Sequence, residues 1–184
     1  MNSKAGKLLI AHPNLSSNNP WYKTVIYLFD DDTNGSKGLV VNKASSYRVS
    51  NFFSSRGMIL GLTKETMRYG GPVATKTILM LHTDEWYSSS TGYAKNGVAI
   101  SCDDFMLEKM SMNNQPELWR MCVGLCSWQP GQLDQELEGK YPYRPENSWL
   151  TADADPSILF ECDGDKQWEK ALAVSSRQLI NQYF

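Results

Sequence analysis

The sequence is poor in almost everything that marks a dedicated chemistry. Histidine occurs only twice, at His12 and His82, so any scheme that needs an imidazole must pass through one of those positions. There is no Gly-x-Ser-x-Gly elbow, no glycine-rich phosphate loop ending in lysine and serine, and no zinc-protease helix. The residues therefore indicate no catalytic group, no metal ligand set and no cofactor, and the expectation is a protein that is not an enzyme.

Long apolar runs and an excess of basic residues are missing too. The segment Met1 to Ile10 carries two lysines and leads into a short apolar run, Leu8 to Ala11, below the length of a signal-peptide core or a membrane span. No later stretch reaches spanning length, which makes the cytoplasm the expected location. With 18 Lys and Arg against 20 Asp and Glu, the formal net charge is -2, and no overall positive field draws the molecule toward phosphates. Direct nucleic-acid binding is accordingly not expected. The four cysteines, Cys102, Cys122, Cys126 and Cys162, read as free thiols packed as small hydrophobes; on an extended strand Cys122 and Cys126 would share a face.

What is present is core material. The 184 residues are 41% hydrophobic, with six Trp, nine Tyr and six Phe, enough to form one core without disulfides. The chain reads as a single domain over residues 1–184. Leu8 to Ala11 predicts an opening strand that ends before Pro13. Thr24 to Asp30 and Gly38 to Asn42 predict a hairpin, with Asn34-Gly35 in its turn and the acidic run Asp30 to Asp32 as a solvated turn rather than a metal loop. Further strands are predicted at Thr77 to Leu81, Val98 to Ser101, Leu118 to Cys126 and Ile158 to Glu161. Helices are predicted from about Asp103 to Met112, capped reciprocally by Ser101 and Asp104, and over Pro130 to Leu137, opened by the proline. A C-terminal helix capped by Asp163 carries one stripe of Trp168, Ala171, Leu172, Ser175 and Leu179. Gly139 to Asn147 reads as an irregular surface loop.

These landmarks, in order, resemble the AlgH/YqgE family across most of the chain. They are Gly6 to Leu15, Gly38 to Asn42, Tyr69-Gly70-Gly71-Pro72-Val73 and Leu81-His82, followed by Gly124, Trp128, Pro130 to Leu133 with Glu136, Trp149-Leu150-Thr151, and Trp168 with Ala171-Leu172. The resemblance implies a mixed α/β fold, a compact domain around a barrel-like mixed sheet with peripheral helices. It also implies a family labelled as uncharacterised or as transcriptional regulators, with no assigned reaction. The sequence departs from the family pattern at Leu125, Ser127 and Lys43-Ala44, in an insertion over Gly139 to Glu146, and in its tail after Ala173.

Several residues stand as candidates for contact with a ligand or partner. His12 and His82 each follow an apolar run, where an imidazole either acts on a ligand or caps a sheet edge through a backbone group. Asn14 and Asn42 lie at similar strand ends. Gln132 and Glu136 are four apart on one helix and share a face, suited to a ligand amide, to a partner's basic group, or simply to solvent. Gly70 and Gly71 permit an unusual turn or a close backbone approach, and Trp128 is a core anchor or a binding aromatic. The leading expectation is a regulatory protein acting through protein–protein binding, with a protein partner. The alternative is an enzyme or small-ligand binder with a pocket near the histidines and the Gln132 to Glu136 helix; a direct DNA-binding regulator ranks third.

Overall fold

A computed structural model describes residues 3–93, 95–140, 142 and 149–183. Strand β1 (Lys7–Ala11) is buried on both faces: Leu8 and Ile10 enter one apolar cluster while Leu9 and Ala11 enter another. Alternation across a pleat explains this split, and each aliphatic side chain so buried contributes roughly 1.5–3 kcal/mol before entropy. The predicted hairpin forms as β2 (Val25–Asp32) and β3 (Gly35–Val40). Its turn carboxylates are spent locally: Asp30 pairs with Lys37, Asp31 accepts from Ser36, and Asp32 accepts from the Asn34 amide.

The segment between the hairpin and Gly70, for which the sequence pattern predicts no element, contains β4 (Ala44–Arg48), α1 (Val49–Ser55) and β5 (Thr66–Tyr69). There follow β6 (Val73–Thr83), β7 (Gly92–Tyr93), β8 (Val98–Ser101), α2 (Asp104–Ser111) and β9 (Trp119–Trp128). The C-terminal part holds α3 (Gln132–Leu137), β10 (Trp149–Asp153), α4 (Pro156–Phe160) and α5 (Gly164–Tyr183). The ten strands form one mixed sheet with the path β10-β1-β2-β3-β9-β6-β8-β7. Strand β5 joins beside β9 in parallel, and β4 pairs with β5. The fold is thus mixed α/β, as expected, but the path ends at β10 and β7, so the sheet is open and does not close into a barrel.

Several local expectations are corrected. Helix α2 is capped by Asp103, whose side chain accepts from the Met106 amide; Ser101 lies inside β8 with its hydroxyl turned to His82. Helix α3 starts from Gly131 in the left-handed conformation (φ 76°), one residue beyond Pro130. The predicted strand at Ile158 is helix α4, because Asp155 caps the Ser157 amide and Pro156 occupies the first turn. Asp163 precedes α5, but its carboxylate reaches Arg68 at 2.6 Å instead of serving as the expected cap. Trp168, Ala171 and Ser175 are buried on α5, whereas Leu179 is exposed. Cys122 and Cys126 fall on opposite faces: Gly124 takes φ 73° and shifts the pleat by one, sending Cys122 with Leu125 into the cluster of Leu8 and Ile10, and Cys126 with Trp128 into the cluster of Leu9 and Ala11. Most of the predicted loop from Gly139 to Asn147 lies outside the described residues.

Candidate functional site

Trp128 closes β9, and α3 begins after the three residues Gln129, Pro130 and Gly131. The left-handed Gly131 turns the chain back, so that one face of α3 lies over the end of the strand, with Leu133 and Trp128 buried in the cluster of Leu9 and Ala11. The four-residue spacing then places Gln132 and Glu136 side by side, as expected, and Gln132 Nε2 donates to Glu136 Oε1 at 3.0 Å. Both Trp128 Nε1 and Trp149 Nε1 donate to Glu136 Oε2, each at 3.0 Å. Gln132 Oε1 in turn accepts from the Gln129 amide at 3.0 Å. Among the described residues, three neutral donors thus fix the carboxylate.

Around this cluster lies a cavity of about 220 Å³ lined by Trp21, Trp128 and Trp149, by Pro72 and Val73, and by the polar side chains of Ser127, Gln132 and Glu136. Trp21 and Trp149 meet edge to face at 5.7 Å between centroids. Cys126 also lines the cavity, but burial pushes its thiol up to about 12 and the nearby Glu136 charge adds to the effect, so it stays protonated and is no nucleophile near neutral pH. A roomier depression of about 440 Å³ opens on the other side of α3, where Lys4 is already paired with Asp134 and Asp31 accepts from Ser36 and the Lys4 amide.

Trp128, Gln132 and Glu136 are brought together; the remaining candidates are not part of this cavity. His82 is fully buried between β6 and β8. The Thr83 carbonyl can only accept, so Nδ1 carries the proton and donates to it at 2.8 Å, leaving Nε2 to accept from the Ser101 hydroxyl at 2.9 Å. The Thr91 hydroxyl then donates to Ser101 at 2.6 Å and accepts from the Ser88 amide at 2.6 Å. Burial holds the imidazole below its ordinary pKa, partly offset by the Thr83 carbonyl. A serine beside a histidine has the look of a nucleophile and base, yet Ser101 and His82 are both 0% exposed.

Asn42 is likewise spent: it accepts from the Val25 amide at 2.9 Å and donates to the carbonyls of Lys23 and Gly164, tying β2 to the start of α5. His12 is half-buried and accepts the Asn14 amide at 3.2 Å in a local turn, with Asn14 exposed. Gly70 and Gly71 serve backbone packing: a Cβ on Gly70 would stand 2.2 Å from the Gly124 carbonyl oxygen and one on Gly71 2.2 Å from the Leu125 carbonyl carbon.

Two features were not singled out from the sequence. Trp21 sits in a loop and carried no pattern signal, and Trp149 appeared only as a landmark. The second feature is a pair of buried arginines held by two partly exposed acids. Arg68, 2% exposed, contacts Asp163 at 2.6 Å and donates to the Val41 carbonyl, while Arg120 meets Glu65 at 2.8 Å and donates to the Phe160 carbonyl. Two arginines against two acids, anchored on main-chain oxygens, make a cross-link between β5, β9 and the approach to α5.

The chain matches the AlgH-like family model over residues 8–179. It is 33% identical over 170 residues to a UPF0301 protein of Methylococcus capsulatus, covering 91% of this chain and 89% of that protein. A UPF0301 protein of Proteus mirabilis is 33% identical over 172 residues, with 89% and 87% covered. Among solved structures, the chain is similar to the solution structure of the AlgH protein from Pseudomonas aeruginosa, with a TM-score of 0.75, 27% identity, and coverage of 95% of this chain and 90% of that one. A Corynebacterium diphtheriae crystal structure shares the fold at a TM-score of 0.70 and 21% identity, over 92% of this chain and 86% of that one.

Proposed function

The chain belongs to the AlgH-like family, and from that premise we propose that it acts without catalysis, as a regulatory protein that binds a partner protein through the cavity walled by Trp21, Trp128 and Trp149. The observation that carries this reading is the state of Glu136, locked in place by two indole N–H groups and the Gln132 amide at the edge of an apolar cavity. A rigid aromatic wall around one fixed polar group is the anatomy of a protein-binding anchor site, where a partner's side chain is buried at little entropic cost. The size agrees: about 220 Å³ is smaller than the roughly 300–1,000 Å³ of pockets for drug-sized ligands, and it suits a single side chain. Any influence on transcription then runs through a protein contact and not through operator DNA.

The enzyme alternative has less support. Its best pair, His82 and Ser101, is sealed from solvent, and the cavity-lining thiol of Cys126 is held protonated. The test is capture of partners on the tagged chain from its native host, alongside a Trp21→Ala variant. A partner retained by the parent and lost by the variant supports the reading; a specific partner held equally by both defeats it. Tight, sequence-selective duplex binding by the purified chain in a low-salt gel-shift titration would also overturn it.

A further inference from the structure

We propose that the occupant of the tryptophan-walled cavity is a cationic side chain, a lysine or arginine of the partner, with its charged head on Glu136 and its alkyl stem along the indoles. This inference rests on the reading of the cavity as a partner-binding site and names what the site accepts.

The argument starts from the charge on Glu136. Among the described residues its three donors are neutral, two indoles and one amide, and such hydrogen bonds orient a carboxylate without cancelling its charge. Among the described residues no lysine or arginine pairs with it; nearby acids do have such partners, Asp134 with Lys4 and Glu138 with Lys140. An ionised carboxylate offers about four acceptor positions, and the three donors among the described residues leave capacity on Oε1 for one more N–H. A neutral polar guest would satisfy that position but not the charge.

The walls point the same way. Indoles exclude water and lower the local dielectric, which strengthens attraction between Glu136 and a cation entering beside it. Aromatic rings themselves favour a cation near their faces, and the alkyl stems of lysine and arginine pack on apolar surface while the head stays polar. Pro72 and Val73 supply that apolar surface. An acidic guest would meet repulsion from Glu136, and a purely aliphatic one would leave the carboxylate buried against hydrocarbon.

The experiment follows the indole Nε1–H signals of Trp128 and Trp149 in ¹H–¹⁵N spectra of the full chain during titration with N-acetyl-lysine amide and N-acetyl-arginine amide. N-acetyl-norleucine amide serves as the uncharged control, and 1,4-diaminobutane as a free ammonium with no peptide group. Expected is saturable movement of both indole signals with the lysine or arginine amide, weakened by added salt, and at least about ten-fold weaker binding by norleucine amide. Glu136→Gln keeps the side-chain shape and should lose about as much affinity. If that variant does not fold, the salt dependence and the norleucine comparison on the parent chain decide alone.

Equal binding of norleucine amide and lysine amide, or binding indifferent to salt, would overturn the cationic occupant while leaving a partner-binding cavity intact. Failure of both cationic amides to move the indoles would overturn it as well. Diaminobutane binding more tightly than either amide would assign the site to a free amine, against a partner's side chain. Loss of capture by Trp21→Ala judges the cavity as a partner site independently of these titrations.

Discussion

Two polar clusters in this molecule are built from similar parts and end in opposite states. In the first, His82, Ser101, Thr91 and Ser88 pass hydrogen bonds along a directed chain in which each donor meets an acceptor, and its centre is sealed between β6 and β8. In the second, Trp128, Trp149, Gln132 and Glu136 are also mutually bonded, but the group they hold is charged and faces a cavity. The difference teaches that a satisfied network alone does not mark structure or site. A closed network of neutral groups has nothing left to offer a partner; an ordered carboxylate with neutral neighbours still carries a field.

The most severe disruption expected strikes the backbone behind the cavity. Gly71→Ala would press a Cβ to 2.2 Å from the Leu125 carbonyl carbon and 2.5 Å from the Cys126 amide nitrogen, where neither side can yield as a flexible side chain would. A loss of more than about 4 kcal/mol is expected, and so failure to accumulate as folded protein. Circular dichroism and soluble yield check it; a normally folded Gly71→Ala protein would show that β9 is looser at the cavity wall than this packing requires.

His82→Ala separates the two clusters. It removes a fully buried ring and strands both the Ser101 hydroxyl and the Thr83 carbonyl, for a cost of about 3 kcal/mol in urea denaturation. The folded fraction should bind N-acetyl-lysine amide as the parent does. Loss of that binding in a folded His82→Ala protein would erase the distinction between the clusters and place His82 back among the working residues.

A milder change sharpens the contrast within the cavity. Trp149→Phe keeps an aromatic wall but removes one of the two indole donors to Glu136. The expected cost is about 1 kcal/mol of stability, with a smaller loss of lysine-amide affinity than Glu136→Gln produces. If Trp149→Phe is the more damaging to binding, orientation of the carboxylate matters more than its charge.

How much of this was legible beforehand depends on where the information sits. Strand β1, the hairpin and the Gln132/Glu136 pairing were readable, because they follow from periodicities of two and of about 3.6 along contiguous residues. The run at Ile158 suggests a strand because a short apolar run fits either type, and only the Asp155-Pro156 start settles it as helix. The opposite faces of Cys122 and Cys126 depend on a single dihedral at Gly124, which no pattern of side chains encodes. At the cavity, the residues missed were Trp21 and Trp149, 107 and 21 positions from Trp128 along the chain, joined to it only by tertiary packing. The pairing of buried Arg68 with the exposed Asp163 carboxylate is hidden for the same reason.

The smallest expected effect is a dependence of stability on pH, and its first window belongs to the sealed cluster. Burial lowers the folded-state pKa of His82, with Asp84, Glu85 and the Thr83 carbonyl opposing the shift and Lys109 reinforcing it. An imidazole kept neutral by the fold binds its proton more readily in the unfolded chain, so its share of stability is complete above the ordinary value of 6.5 and drains away as pH falls below it. Asp103 adds a second, lower window. Burial pushes its carboxyl up, but hydrogen bonds from the Ser88 and Ser90 hydroxyls and the Ser90 and Met106 amides outweigh this and hold it at about 2. Its contribution is complete above the ordinary 3.8 and lost as pH drops toward about 2. Urea midpoints taken across this range should therefore decline first below the imidazole value, and in His82→Gln that early decline should vanish while the later one remains. An early decline that survives in His82→Gln would mean that a group outside the sealed cluster takes up the proton, and the cluster would lose its claim to be a self-contained structural unit.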